Sequence, residues 1–467
     1  MEKKNLLFSG MSVSNDLIII KDFAPEFKKY FNISLITFSN SKKVKEEADK
    51  IGASVYQIPF YDKEKRLVEE EICRALSEIE KKIDYPVEKV IFGDPEFYKI
   101  YKEDRISALS WFIKIFFFCE RIIKEKKIDV HYVNGNDHIF NFLPYLIMKS
   151  MNRKSYNLVL IPYHGISLTR SFLTDDLESS SAIQKTDYQK HVESLKKESV
   201  SYLDYFHLNK HLSMNGLKRL FKVPAEDLAE SRNIYKSLGR ITLWKILLFF
   251  PRKIKLILKL MLLNLLVYRK IDPRTEYVYY PLHYIEDGQV RIKYPEGYNQ
   301  YELVRNIAKN IPARYNLIIK EHPGFRGQYS MRELLELAKN PKIVVVNSKT
   351  SSKEIFPRSI CTITVNSTVG YEALFFNNIV LIFGGSFYKN LPGVTKIDTP
   401  ENIFNILNDD ELIKKKREEI KNNLETAVKK LLDSSLKMDY GHLLRGEKVD
   451  REIGELANFL QRLVYKK

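Results

Sequence analysis

The sequence predicts an α/β protein with two doubly wound domains facing a cleft, a helical linker between them and a helical C-terminal tail. Three observations carry that prediction. Short apolar runs alternate with charged helical stretches in the first half of the chain, and the alternation restarts near Tyr277. Between the halves lies a basic, apolar stretch of helical pattern, Ile241–Lys270. The 467 residues exceed what one ordinary core organises.

The elements follow in order. Asn5–Phe8 reads as a first buried strand, closed by Ser9-Gly10. Ile33–Phe38 and Ala53–Ile58 are the next two strands, with a charged helix at Lys43–Ile51 between them. Helical stretches at Val68–Lys82 and Ala108–Lys127 precede strands at Val130–Asn134 and Leu158–Pro162. The polar residues 171–205, with Asp175 and Asp176, read as a surface excursion or lid. In the second half, Tyr277–Tyr280, the run around Leu317, Ile343–Val346, Cys361–Val365 and Ile379–Gly384 are strands. Helices fall at Tyr298–Asn310, Met331–Lys339 and Gly370–Phe376, and Glu401–Lys467 is mostly charged helix. The expected division is an N-terminal domain at 1–235, a basic amphipathic linker at 236–275, a C-terminal domain at 276–400 and a helical segment at 401–467.

The formal charge of +17 favours anionic partners, but composition does not choose among nucleic acids, acidic lipids and polyanionic substrates. No nucleic-acid-binding signature accompanies the charge, so no nucleic-acid partner is expected. Cys73, Cys119 and Cys361 have no metal spacing and read as small buried apolar residues in a reducing compartment. The apolar run at the N-terminus is too short for a signal peptide, which implies a cytoplasmic protein. Arg252, Lys255 and Lys259 share one face of the linker helix and cut its apolar runs short of the roughly twenty residues that span a bilayer. Two readings of 241–270 stay open. The helix lies in an anionic membrane interface, peripheral at the inner face of the cytoplasmic membrane, or it packs between the domains with its lysines outward.

Two segments carry the chemistry. Lys320-Glu321-His322-Pro323 ends one strand of the second domain, and Asn366-Ser367-Thr368-Val369-Gly370-Tyr371-Glu372 follows another and opens a helix. Open α/β sheets bind ligands at such strand ends, and free N–H groups at a helix start favour phosphate. Lys320 and His322 add donors, so the pair reads as a nucleotide-sugar site. Glu286-Asp287-Gly288 supplies acids beside the expected cleft, able to act as base or nucleophile or to form a simple turn. Gln300 starts the next helix and is placed to face the same cleft. Asn134, Asp137 and His164 occupy strand ends of the first domain and are the acceptor-side candidates.

Tyr280-Pro281-Leu282-His283, Gln300, Lys320–Pro323, Val365–Leu374 and Phe383-Gly384-Gly385-Ser386-Phe387-Tyr388 together resemble the capsule polysaccharide biosynthesis proteins, which include β-Kdo transferases. The motif logic is also similar to that of bacterial sialyltransferases. The resemblance covers roughly residues 277–390. It implies a GT-B-like architecture of two Rossmann-like domains and transfer of an acidic sugar from a CMP-activated donor to a glycan or lipid-linked acceptor. By that analogy His322, Ser367 and Thr368 bind the CMP phosphate, and Glu372 binds the ribose. Asp287 or Glu286 is the catalytic acid, His283, Lys320, Glu321, Asn366 and Gly370 line the donor site, and no metal or resident cofactor takes part. Two departures stand out: Glu286-Asp287 replace the family's usual Pro-Glu, and Ser367 replaces a usual glycine. The alternatives are a GT-B transferase using a UDP-sugar or CDP-glycerol, and a nucleic-acid-binding protein.

Overall fold

The computed structural model describes residues 2–10, 13–38, 40–62, 64, 66–133, 138–178, 186–197, 249–285, 287–323, 327–438 and 450–465. Two sheets organise them. The first contains β1 (Lys4–Ser9), β2 (Phe31–Thr37), β3 (Ser54–Gln57), β4 (Val130–Val133), β5 (Lys154–Ile161) and β6 (Gly165–Thr169). Strands β1 to β5 run parallel in the order β3-β2-β1-β4-β5, and β6 adds antiparallel beside β5. β1 buries Leu6, Leu7 and Phe8, and β4 is buried along its whole length, as sheets covered on both faces require. One face is covered by the Arg105–Glu125 and Ile139–Ser150 helices and the other by the helical residues 13–27 and Asp450–Tyr465.

The second sheet contains β7 (Tyr277–Pro281), β8 (Asn316–Lys320), β9 (Ile343–Val346), β10 (Ser359–Thr364), β11 (Ile379–Ile382) and β12 (Val394–Lys396). All six are parallel, in the order β9-β8-β7-β10-β11-β12. Strand order reverses between β7 and β10, which is where doubly wound sheets open a crevice for ligands. Each half is therefore a Rossmann-like lobe, and the pair is GT-B-like.

Three features depart from the sequence reading. The polar stretch after residue 171 does not run free over the surface. Leu173 and Thr174 lie so close to Gly385 that a Cβ there would sit 2.3 Å from the Leu173 carbonyl oxygen. The Tyr188–Lys197 helix buries His191, which bonds Tyr371 of the other lobe at 2.9 Å. The tail returns to the first lobe: β13 (Leu436–Lys437) pairs with β6, and Gly165 leaves the room that the Leu436 backbone fills. Finally, Cys73 is exposed, whereas Cys119 and Cys361 are buried.

The carboxyl ends of both sheets meet where the lobes touch. Asp94 accepts from the Ile139 amide at 3.0 Å, which holds residues 92–94 beside the exit of β4. Against them packs the Gly288–Lys293 helix, which follows β7. Its Ile292 is part of the first lobe's core. The Arg291 guanidinium lies 4.0 Å from the Tyr298 ring centroid and 5.0 Å from that of Phe92, and it donates to the Phe92 carbonyl at 3.1 Å. Lys293 pairs with Asp175, both side chains buried, and Lys389 pairs with Asp176.

The linker's Phe249–Leu266 helix packs on the second lobe. Contrary to an outward row of lysines, the Lys259 ammonium turns inward and donates to the carbonyls of Gly327 (2.7 Å) and Tyr329. Residues 236–248 lie outside the described residues. Among the described residues no helix is long and apolar enough to cross a membrane.

Candidate functional site

The switch point of the second sheet builds a polar cluster. β7 ends at Pro281, and Leu282-His283 follow; β10 ends at Thr364 beside it. The His283 Nε2 lies 3.1 Å from Thr364 Oγ1 and accepts the Val365 amide at 3.3 Å. That amide needs a lone pair on Nε2, so the ring proton sits on Nδ1. Nδ1 faces Asp287 Oδ2 at 3.5 Å. The other oxygen of Asp287 caps the Gly288–Lys293 helix, accepting from the Gln289 amide at 2.9 Å. Asp287 is thus oriented by a histidine on one side and a helix start on the other.

Thr364 Oγ1 also accepts the Ser367 amide at 3.1 Å, turning the chain into the Thr368–Leu374 helix. Ser367 caps it through the Val369 amide, and the Tyr388 hydroxyl donates to the Ser367 carbonyl. Gly370 is needed for that contact, because a Cβ would lie 2.5 Å from the Tyr388 oxygen. Asn366, Ser367 and Thr368 keep part of their surface open to solvent.

His322 lies within electrostatic reach of His283, Asp287 and Lys320. Burial pushes its imidazole down to about 4, with His283 and Lys320 adding to the drop and Asp287 opposing it. At neutral pH it is an uncharged N–H donor. Lys320 is buried and spends its ammonium on the Thr350 carbonyl (3.0 Å) and the Ser352 hydroxyl (2.8 Å). Burial pushes it down to about 8, while Glu372 and Glu354 pull upward. Burial likewise holds Glu372 up to about 7 against Lys353 and Lys320.

The remaining candidates separate from this cluster. Glu321 is fully buried and accepts from the Tyr268 hydroxyl at 2.7 Å, so it anchors the linker where donor binding was expected. Gln300 faces inward: it accepts from Tyr280 and the His283 amide and donates to the Gly297 carbonyl, splinting the end of β7. His164 sits at the β5–β6 hairpin, its ring 6.2 Å from that of His191, with burial pushing it down to about 4. Glu286, Asn134 and Asp137 lie outside the described residues. The sequence reading did not single out Thr364, Tyr329 or Tyr388. Tyr329 donates to the His283 carbonyl at 2.7 Å and so locks the loop after β8 onto β7. Tyr388 closes the FGGSFY motif, and that was the one signal pointing to it. Among the described residues no three His, Cys, Asp or Glu side chains converge as metal ligands.

Two Rossmann-like lobes meeting at strand ends define a GT-B-like fold, with a histidine, acid and hydroxyl cluster at the switch point of the second. Over residues 266–422 the chain matches the family described as capsule polysaccharide biosynthesis protein, and over that segment the resemblance read from the sequence is borne out. Protein FixF of Sinorhizobium fredii (strain NBRC 101917 / NGR234) is 31% identical over 123 residues, 26% of this chain and 29% of FixF. The chain therefore spans less than a third of that relative. Among solved structures, KpsC of Thermosulfurimonas dismutans, a β-Kdo 2,7 transferase, shares 12% identity over 73% of this chain and 89% of its own, with a TM-score of 0.32. Anabaena HepE with UDP-glucose shares 9% over 97% and 99%, with a TM-score of 0.29.

Proposed function

We propose that the protein is a glycosyltransferase of surface or capsular polysaccharide synthesis, moving an acidic sugar from a CMP-activated donor to a glycan or lipid-linked acceptor at a membrane face. One observation carries the reading: His283, Asp287, His322 and the Ser367-Thr368 helix start gather at the β7/β10 switch point. Glycosyl transfer is limited by departure of the phosphate leaving group, and donors fixed in advance around it lower that barrier. The Ser367 and Thr368 hydroxyls and the His322 imidazole are the groups this reading assigns to that work. A bound phosphate would favour protonated His322 and raise its pKa. Asp287, held by His283, takes the proton of the acceptor hydroxyl in an inverting reaction, or attacks the anomeric carbon in a retaining one.

A thermal-shift screen of CMP, CDP, UDP and GDP tests the reading. CMP stabilises the wild type, and His322→Ala loses most of that shift. Equal shifts in both proteins would remove His322 from the site, and a shift with UDP alone would favour a UDP-sugar donor.

A further inference from the structure

The Phe249–Leu266 helix presents a surface that the cluster around His283 does not use. Leu256, Leu260 and Leu263, with Val267 just beyond, form its inward face. On the opposite side, Ile257, Leu258, Met261, Leu262, Leu265 and Leu266 are 46% to 74% exposed. Their spacing places all six on one side of a 3.6-residue helix. Among the other described residues, the large apolar side chains comparably exposed are Val68, Phe117 and Phe404, scattered over both lobes. A contiguous apolar strip of this kind marks a surface that meets a partner.

Charge selects the partner. Residues 231–271 contain ten lysines and arginines and no aspartate or glutamate, which is over half of the chain's net +17. Lys255, Arg269 and Lys270 are exposed along and just beyond the strip. A second copy of the chain would bring the same sign to the same face. An anionic lipid surface supplies both complements at once, acyl chains for the strip and headgroup phosphates for the cations.

We infer that this outer face seats in the interfacial layer of an anionic bilayer. The inference deepens the proposed transfer at a membrane face and rests on that reading for its biological setting. The helix is also bolted to the lobe that carries His283 and His322. Lys259 holds the Gly327 and Tyr329 carbonyls, Tyr268 donates to Glu321 next to His322, and Tyr329 in turn donates to the His283 carbonyl. A bilayer gripped by this helix is therefore held at a fixed position relative to the cluster, which suits an acceptor that arrives on a lipid.

The test is co-sedimentation of the full-length protein with phosphatidylcholine vesicles, with and without phosphatidylglycerol. The protein partitions onto the anionic vesicles. Met261→Glu/Leu265→Glu lowers partitioning by at least about tenfold, because it carries two charges into the acyl boundary. Both side chains face solvent, so the melting temperature stays at the wild-type value. Lys255→Gln/Arg269→Gln/Lys270→Gln weakens binding to the anionic vesicles and leaves the phosphatidylcholine control unchanged. Equal partitioning of wild type and double-Glu variant, or no partitioning of either, would overturn the inference. So would a wild-type dimer that the double-Glu variant converts to monomer in sedimentation velocity, since a second copy would then cover the strip. An intact CMP-induced thermal shift alongside failed vesicle binding would reject the membrane face alone, leaving the transferase reading in place.

Discussion

Lys293→Met probes how the lobes are held together. Lys293 and Asp175 pair across the interface with side-chain exposures of 4% and 7%. Methionine keeps most of the length and removes the charge, which leaves the Asp175 carboxylate buried beside an apolar side chain. Breaking such a pair from one side costs about 3–5 kcal/mol, whereas replacing both partners by uncharged groups is often close to neutral. The cost of the single change is therefore in the orphaned carboxylate, and Asp175→Asn should recover most of it. At about 1.4 kcal/mol per tenfold, the single variant loses at least roughly 100-fold in the equilibrium for lobe docking. A protein of two lobes need not unfold in one step, so the assay is the midpoint of the first urea transition. Lys293→Met lowers it strongly, and Lys293→Met/Asp175→Asn returns most of the way. Effects of the two substitutions that add within about 0.5 kcal/mol would refute the reasoning, because uncoupled sites behave that way.

Two further predictions follow from packing and titration. His131 is fully buried between the Ser9 and Ser155 hydroxyls, at 2.8 Å from each, and burial pushes it down to about 3. The unfolded chain binds a proton there near the ordinary value of about 6.5 and the folded chain does not, so stability falls as pH drops below that value. By pH 5 the loss from this group is about 2 kcal/mol. His131→Asn should flatten the pH dependence of urea stability by that amount, and an unchanged slope would show that the imidazole does not resist protonation. Gly385→Ala should separate the lobes locally, because a Cβ would lie 2.3 Å from the Leu173 carbonyl oxygen and 2.6 Å from the Thr174 Cα, and both atoms are backbone. Faster proteolysis of the segment around residues 171–176 reports the effect, and wild-type cleavage rates would contradict the close approach.

Much of the scaffold was legible because parallel strands buried on both faces leave continuous apolar runs. β1, β2, β7, β8, β9, β10 and β11 fall where those runs do. β13 left no such trace, since two residues pair across a sequence gap of over 250 and only the partner's glycine makes room. The polar composition around Asp175 and His191 reads as a surface excursion or lid, and the partners that bury these two side chains, Lys293 and Tyr371, come from the other lobe. At the candidate site, strand ends and a helix start placed His283, His322 and Ser367 in one region. Which polar groups remain available was not legible. Lys320, Glu321 and Gln300 have the chemistry of ligand-binding residues, yet their partners Thr350, Tyr268 and Tyr280 claim them. Pairings of that kind are fixed by tertiary distance, which local pattern does not encode.

The central claim is that the β7/β10 switch point receives a nucleotide phosphate. A crystal structure of the protein with CMP tests it most directly. The phosphate should lie within hydrogen-bond distance of the Ser367 or Thr368 hydroxyl and of the His322 ring, with Asp287 open toward the first lobe. CMP seated at the opposite, amino end of the sheet, in the pocket lined by Glu276, Tyr315, Arg417 and Lys421, would contradict it.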